Sequence, residues 1–326
     1  MEKLKQMAPG IALTFFLAIP AHFLGQKFKI AGGPVFGILI GMILAFIKRP
    51  DCFSKGIQFT SKKILQYAII FIGFNMNLFS IFKTGSQTVV LMIFTLSITF
   101  ITAYFFSKLL KVERKTAVLI GVGTSICGGS AIAATAPVIN ADDEEIAFSI
   151  STIFLFNVLA AFIFPALGHI LNMSDFNFGL WAGTAINDTS SVVAAGYSFS
   201  EAAGDQAVIV KLTRTLAIIP ITLILSIYEG RRRGKAEGFS IKKIFPWFIL
   251  GFVAAAIMNT FINIDPNIYN ALYGAGKFMI IMAMTAIGLN TNIAKLVKTA
   301  GKPLMLGLIC WIVLSISSLF FQNLFF

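Results

Sequence analysis

Charged residues and the side chains most often used in catalysis are scarce in this sequence. Lys, Arg, Asp and Glu fill 12% of the 326 positions, and there are only two histidines. The three cysteines, Cys52, Cys127 and Cys310, lie in separate segments without disulfide or zinc-ligand spacing. No HExxH, GxSxG or Walker A motif occurs. The sequence therefore predicts no metal site, no cofactor and no ATP-driven pump, and it argues against an enzyme.

Apolar residues are abundant instead. They make up 57% of the chain and include 34 Phe, which is more than soluble globular proteins contain. The net charge of +12 comes from Lys and Arg that lie mostly in short connections rather than on one basic face, which argues against nucleic-acid binding. We therefore predict an all-α polytopic membrane protein, with residues 1–326 forming a single unit in the cell membrane.

About eleven apolar runs are long enough to cross roughly 30 Å of hydrocarbon as transmembrane helices. The first has no small-residue cleavage site after it and is expected to stay as an anchor. Two runs, at residues 116–139 and 178–199, are rich in Gly, Ser and Thr. The others lie at residues 9–25, 31–47, 64–82, 87–107, 145–171, 206–228, 244–263, 268–287 and 303–325.

Basic connections set the expected orientation, because short loops rich in Lys and Arg stay in the cytoplasm. Such loops lie at residues 48–63, 108–115 and 231–243, whereas the acidic loop at residues 142–145 is expected outside. Eleven crossings, with a cytoplasmic N-terminus and an external C-terminus, satisfy these four loops. Lys27 and Lys29 in the first external loop are the exceptions.

An internal repeat is indicated by the similarity of residues 62–98 to residues 277–313. Seven predicted spans separate the two copies, so they run in opposite directions, as in the inverted repeats of secondary transporters. This divides the chain into repeat one at about 9–107, central spans at about 116–199 and repeat two at about 206–325. Chance similarity between apolar helices is the alternative. The shared GxNxN pattern supplies candidate ligands for a coupling ion, which could equally be helix-packing groups: Asn75, Asn77, Asn290 and Asn292.

Two segments have the composition of interrupted helices. Residues 123–138, GTSICGGSAIAATAPV, are rich in Gly and small polar residues, and Pro137 removes a backbone donor. A broken helix is tolerated in hydrocarbon only in the protein interior or beside water, and its half-helix N-terminus could hold an anion. Close packing through small residues is the alternative. Residues 183–194 are similar but carry Asn187 and Asp188, and the predicted topology runs both segments in the same direction, which leaves this similarity outside the inverted repeat.

Two cations lie in the next predicted span. Lys211 and Arg214 share one helix face, and Arg214 is near the middle of the span, where a charged side chain usually marks a pathway. We predict an anion site there, and a purely structural ion pair between Arg214 and Asp188 is the alternative. The candidate substrate-binding residues are Ser125, Cys127, Gly128, Gly129, Ser130, Thr184, Asn187, Asp188, Thr189, Ser190, Lys211 and Arg214.

The motifs GTSICGGSAIAA, WAGTAINDTSSVVAAG and VKLTRTLAIIP, at residues 123–134, 181–196 and 210–220, resemble the YeiH family of bacterial membrane proteins, which are described as sulfate exporters. The resemblance covers nearly the whole chain. It implies a fold similar to bile-acid sodium symporters and cation/proton antiporters, with panel and core domains, broken helices that cross near the midplane, and a homodimer. Family members commonly carry His where this chain has Asn187, so the resemblance does not extend to a titratable imidazole at this position.

The leading hypothesis is thus a secondary transporter, an exporter or exchanger, for a small anion such as sulfate, a sulfonate or a small carboxylate. Na+ and H+ are the candidate coupling ions. An anion channel is the first alternative, and an intramembrane enzyme using Asp188 with Ser190 or Ser191 is the second. The sequence does not choose among the anions, because tetrahedral and planar anions both accept forked Arg contacts.

Overall fold

In a computed structural model, the chain is described over residues 2–28, 32–233, 245–262, 265–291 and 301–326. All regular secondary structure in these ranges is helical. Six helical stretches in them are long and apolar enough to cross a membrane, and shorter apolar helices accompany them. The predicted class, an all-α polytopic membrane protein, is confirmed.

Fifteen helices are numbered here in chain order. The first eight are α1 (Glu2–Lys27), α2 (Gly32–Ala45), α3 (Ser54–Phe59), α4 (Leu65–Gly73), α5 (Leu78–Leu110), α6 (Arg114–Ser125), α7 (Gly129–Ile139) and α8 (Asp143–Ile170). A 3-10 turn, Asp51–Phe53, precedes α3, and a π-helical turn, Thr60–Ile64, joins α3 to α4. The remaining seven are α9 (Asp175–Ala185), α10 (Thr189–Phe199), α11 (Glu201–Thr215), α12 (Ile218–Arg233), α13 (Phe248–Phe261), α14 (Pro266–Asn290) and α15 (Lys302–Phe325).

The boundary between the third and fourth predicted spans was wrong. It was expected between residues 82 and 87, but α4 ends at Gly73 and α5 starts at Leu78. Asn77 sets the start of α5, because its side chain accepts a hydrogen bond from the backbone N of Phe79 at 2.8 Å. The polar residues near 83–86 that suggested a loop lie inside the helix.

Residues 114–139 form a hairpin rather than the predicted span. Lys115, near the start of α6, lies 3.5 Å from Glu145, and Glu113 and Asp142 line the same cavity of about 320 Å³. The N-terminus of α6 and the C-terminus of α7 therefore lie at one end of the bundle, which we call the basic end. Gly128 allows the reversal, since its φ of +66° suits glycine. We call α6 and α7 hairpin 1.

Residues 175–199 form a second hairpin, which enters from the other end of the bundle. The rings of Phe178 and Phe199 stack with centroids 4.0 Å apart, and the Ser200 hydroxyl donates to Asp175 at 2.7 Å. His169, near the end of α8, stacks on Phe199 as well. Because α8 starts at the basic end beside Lys115, the start of α9 and the end of α10 lie at the far end. We call α9 and α10 hairpin 2.

These hairpins correct three predictions. The segments at 116–139 and 178–199 were predicted to cross the membrane as interrupted helices. Each instead reverses its direction at the interruption and returns to the end of the bundle from which it entered. The acidic loop at 142–145 lies at the same end as the basic loop at 108–115, not at the opposite end. The two hairpins contain the similar segments 123–134 and 183–194, and they enter the bundle from opposite ends. The predicted topology, by contrast, ran both segments in the same direction.

The helices pack as two groups. The panel group contains α1–α4, α13 and α14, and the hairpin group contains α5–α12 and α15. Within the panel group α4 and α14 run antiparallel, because Gly276 lies against Phe71 while Arg49, just before the 3-10 turn, donates to the carbonyl of Leu289 at 2.6 Å. The repeat between residues 62–98 and 277–313 predicts this relative direction but stays a prediction, since residues 292–300 lie outside the described residues.

Candidate functional site

The tips of the two hairpins, where α6 turns into α7 and where α9 turns into α10, meet inside the hairpin group. A Cβ atom on Gly128 would lie only 3.2 Å from the Cβ of Asp188, so glycine is required for this approach. Asn157, which the sequence analysis missed, accepts a hydrogen bond from the backbone N of Asp188 at 3.0 Å through its side-chain oxygen. The structure thus brings the two similar motifs together at one point.

Lys211 of α11 joins the two tips. Its Nζ donates to the carbonyl oxygens of Ile126 in hairpin 1 and Ile186 in hairpin 2, both at 2.9 Å, and to that of Asn187. The side chain is fully buried. Three acceptors match the three donors of an ammonium group, so Lys211 has no donor left for a ligand.

Arg214 makes the same connection one turn later. Its Nε donates to the carbonyl of Ser125 at 2.6 Å, its Nη2 to that of Thr124 at 2.8 Å and its Nη1 to that of Thr184. These carbonyls belong to the C-terminal turns of α6 and α9, which carry negative partial charge and lack intrahelical partners. Hydrogen bonds from charged groups contribute about 1.5–3 kcal/mol each, which offsets part of the cost of burying the two cations and joins them to both tips.

Asp188 does not pair with Arg214, contrary to the structural ion pair that was considered. Within the described chain it caps α10 instead, accepting from the backbone N of Ser190 at 3.0 Å and from the Ser190 hydroxyl. A carboxylate is favourable at a helix N-terminus, where the dipole is positive. Thr184 is also fully bonded, since its hydroxyl donates to the carbonyl of Leu180 and contacts Ser318.

The N-terminus of α7 has no such carboxylate. Its N-cap is Gly128, without a side-chain cap, and a Cβ on Gly129 would meet nothing within 4 Å. Ser130 is exposed, while Asp188 and Thr189 are half-buried. A helix N-terminus beside open space, without a side-chain cap from its N-cap residue, is suited to an anion. Cys127, which directly precedes the N-cap, is buried, and its sulfur accepts from the backbone N–H of Ala131 in the first turn of α7.

Several polar atoms at the tips have no hydrogen-bond partner among the residues that the structure describes. They are both amide atoms of Asn187, the hydroxyl of Thr124 and the hydroxyl of Ser125, and all three side chains are fully buried. Buried polar groups are nearly always hydrogen-bonded, so unpartnered groups require an explanation such as a bound ion or water. They lie in the same short segments as the carbonyls held by Lys211 and Arg214.

The asparagines of the predicted ion site are not brought to the tips. Asn75 and Asn77 are exposed beside the end of α4, and Asn77 caps α5. Asn290 is exposed at the opposite end of the antiparallel α4–α14 pair, and Asn292 lies outside the described residues. This arrangement separates the two copies of the motif instead of placing them around one site. The described residues also hold no group of three His, Cys, Asp or Glu suited to a metal ion.

A polar contact between the two helix groups was not predicted. Asp205 of α11 accepts from the hydroxyl of Tyr197 at 2.6 Å and from that of Tyr273 on α14 at 3.2 Å. Close by, Lys277 of α14 lies 2.6 Å from Glu201. We call these two contacts the latch, because they join the panel group to hairpin 2 and α11. The signal that could have found Asp205 was a carboxylate directly before the predicted span at residues 206–228.

Known proteins place the chain in a family. The family model described as Conserved hypothetical protein 698 matches residues 9–307. A UPF0324 membrane protein of Fusobacterium nucleatum is 51% identical, covering 97% of this chain and 97% of that protein. One from Streptococcus agalactiae is 50% identical over 98% and 97% of the two chains, and no solved structure matches. The chain belongs to the UPF0324 family of membrane proteins, which is the YeiH family.

Proposed function

We propose that this protein is a secondary transporter of a small anion, such as sulfate, a sulfonate or a small carboxylate. The observation that carries the proposal is the uncapped N-terminus of α7, which faces open space at the meeting point of two inverted hairpins. Interrupted helices whose N-termini point at an anionic group are typical of substrate sites in secondary transporters.

The charges at the tips favour an anion at this position. Lys211 and Arg214 are two cations, whereas Asp188 is the one carboxylate that contacts the tips among the described residues. In this proposal the cations do not touch the substrate, because their donors are directed to carbonyl oxygens. They hold the tips together and supply positive potential, while Ser130 and the first backbone N–H groups of α7 bind the anion.

Packing around the hairpins supports alternating access. Hairpin 2 is covered, because α10 packs against α2 and α14 of the panel group, and Gly32 lies directly against Ser198. The chief neighbours of α7, by contrast, are α6, α8 and α12 of its own group, and its residues Ser130, Ala133 and Pro137 are exposed. The site is thus open beside hairpin 1 and closed beside hairpin 2. Movement of the hairpin group against the panel group would close the site beside hairpin 1 and open it beside hairpin 2.

The proposed topology has nine crossings and two hairpins that do not cross. The crossings are α1, α2, the stretch from residue 51 to 73, α5, α8, α11 with α12, α13, α14 and α15. Since the basic end carries Lys111, Arg114 and Lys115, it is assigned to the cytoplasm. The N-terminus is then cytoplasmic and the C-terminus external in the inner membrane, and the opening beside hairpin 1 faces the cytoplasm, as an exporter requires in its loading state.

Gly129 offers a direct test. Gly129→Asp would place a tethered carboxylate at the N-terminus of α7, in space that is open, so that it competes with the substrate without disturbing packing. Purified protein in proteoliposomes should show saturable uptake and counterflow of radiolabelled sulfate, a sulfonate or a small carboxylate. We expect Gly129→Asp to abolish this uptake and Gly129→Asn to retain most of it.

Gly274→Asp is the matched control, because a Cβ there also meets nothing within 4 Å, but the residue lies in the panel group. Uptake that is lost equally in Gly129→Asp and Gly274→Asp would argue for a general effect of added charge. Full uptake in Gly129→Asp would remove the α7 terminus from the substrate path. Flux that neither saturates nor shows counterflow would favour a channel.

A further inference from the structure

Six backbone carbonyl oxygens from the two tips converge on two side chains of α11. They belong to Thr124, Ser125 and Ile126 in hairpin 1 and to Thr184, Ile186 and Asn187 in hairpin 2. In transporters with interrupted helices, unwound carbonyls and half-helix C-termini are typical ligands of Na+. Here the same type of oxygen cluster is occupied by parts of the protein itself.

Lys211 has the geometry of an ion within this cluster. Its ammonium is fully buried, contacts one carbonyl of hairpin 1 and two of hairpin 2, and forms no ion pair with a described carboxylate. An ammonium is a compact point charge, whereas the guanidinium of Arg214 is planar and extended. Carbonyl dipoles thus replace the hydration shell of Lys211, as they do for a desolvated metal cation.

We propose that Lys211 is a tethered substitute for a monovalent metal cation, so that the tips close without Na+, and that removing its ammonium turns the tips into an alkali-cation site. The same short segments also carry side-chain oxygens, those of Asn187, Thr124 and Ser125, which are buried and have no partner among the described residues. With the freed carbonyls they approach the ligand number that such a cation needs. This deepens the transport proposal by removing Na+ from its cycle.

The test is the thermal stability of the purified full-length protein in Na+, K+ or N-methylglucamine chloride at constant ionic strength. We expect the wild type to melt at the same temperature in all three salts. Lys211→Ala should melt lower in N-methylglucamine and gain about 5 °C or more, saturably, in Na+ or K+, since a ligand that binds only the folded state stabilises it. Lys277→Ala, a change at a half-buried lysine of the latch that does not contact the tips, should show no dependence on the cation.

Lys211→Met is the second variant, because its side chain fills the space without charge and leaves no room for an ion. It should be less stable than the wild type in every salt and should not be rescued. A folded Lys211→Ala that melts identically in all salts would overturn the proposal, as would equal rescue of Lys211→Met. Failure to recover Lys211→Ala in any alkali salt would also overturn it, because an ion must replace the ammonium. The melting temperatures are measured without a transported substrate. A failure of anion uptake would therefore contradict the transport proposal without changing the conclusion about Lys211.

Discussion

Hairpins 1 and 2 share a sequence pattern and a shape, but they differ in how their tips are neutralised. Both have their C-terminal carbonyls held by Lys211 and Arg214. At the following helix N-terminus, hairpin 2 has Asp188 as a cap, whereas hairpin 1 has Gly128 and no cap. The same fold therefore gives one neutralised tip and one tip that is short of negative charge.

The two hairpins also differ in how far neighbouring helices bury them. The neutralised tip belongs to the hairpin that packs on the panel group, and the uncapped tip belongs to the hairpin with an exposed face. The cap and the packing on the panel group occur together because the backbone groups at a buried helix end need hydrogen-bond partners from the protein. At an exposed helix end, water or a ligand can provide these hydrogen bonds. An inverted pair with unequal tips can thus hold one substrate and expose it on one side.

The largest expected effect comes from closing the space that lets the tips meet. Gly128→Val would place a branched side chain at a φ of +66° and within 3.2 Å of Asp188. We expect destabilisation by about 3 kcal/mol or more, from backbone strain and from displaced tips. Folded yield by size exclusion and the melting temperature measure this. Gly129→Ala, one residue later in open space, should be neutral, and equal stability of Gly128→Val and wild type would contradict the tip geometry.

A second prediction compares the hairpins at matched positions. Ser130 and Ser190 occupy equivalent places in the two motifs, but Ser130 is exposed and Ser190 is buried. In a Cys52→Ser background, which removes the exposed cysteine, Ser130→Cys should react with a hydrophilic thiol reagent about tenfold faster or more than Ser190→Cys. Reagent added from the cytoplasmic side should be the effective one.

The native cysteines serve as controls for this labelling. Cys127 and Cys310 are both buried, so the background protein should react little. The burial of Cys127 also argues against its role as one of the predicted substrate-binding residues. Equal rates at the two introduced cysteines, with both variants folded, would mean that the two hairpins are equally accessible and that the comparison drawn from packing does not hold in the membrane.

The sequence predicted the chemistry of the site better than its shape. It identified the Gly123 and Gly183 segments as interrupted and Lys211 and Arg214 as buried cations, because composition shows where polar groups interrupt apolar chain. It missed the reversals of chain direction, because a broken span and a hairpin have the same local composition. Only contacts between distant residues, such as Lys115 with Glu145 and Phe178 with Phe199, distinguish the two. Partners of a cation are also hidden from sequence when they are backbone carbonyls, which every residue carries.

The smallest expected effect concerns the latch that keeps hairpin 2 against the panel group. Tyr273→Phe removes the hydroxyl that donates to Asp205 across the two groups but keeps the ring. A hydrogen bond contributes about 0.5–1.5 kcal/mol net, so the closed arrangement should become roughly two- to tenfold less favoured. Reaction of Ser190→Cys with the thiol reagent should then accelerate by a similar factor, while reaction of Ser130→Cys should slow or stay unchanged.

Tyr269→Phe is the matched control on the same helix, because its hydroxyl donates to the carbonyls of Met258 and Ile262 within the panel group. It should alter stability by a comparable amount and leave the labelling of Ser190→Cys unchanged. If Tyr269→Phe and Tyr273→Phe accelerate that labelling equally, the effect is general loosening. If neither does, the hydroxyl contact to Asp205 does not hold hairpin 2 closed, and the difference between the hairpins must come from the Lys277–Glu201 contact or from α2 and α14 packing on α10.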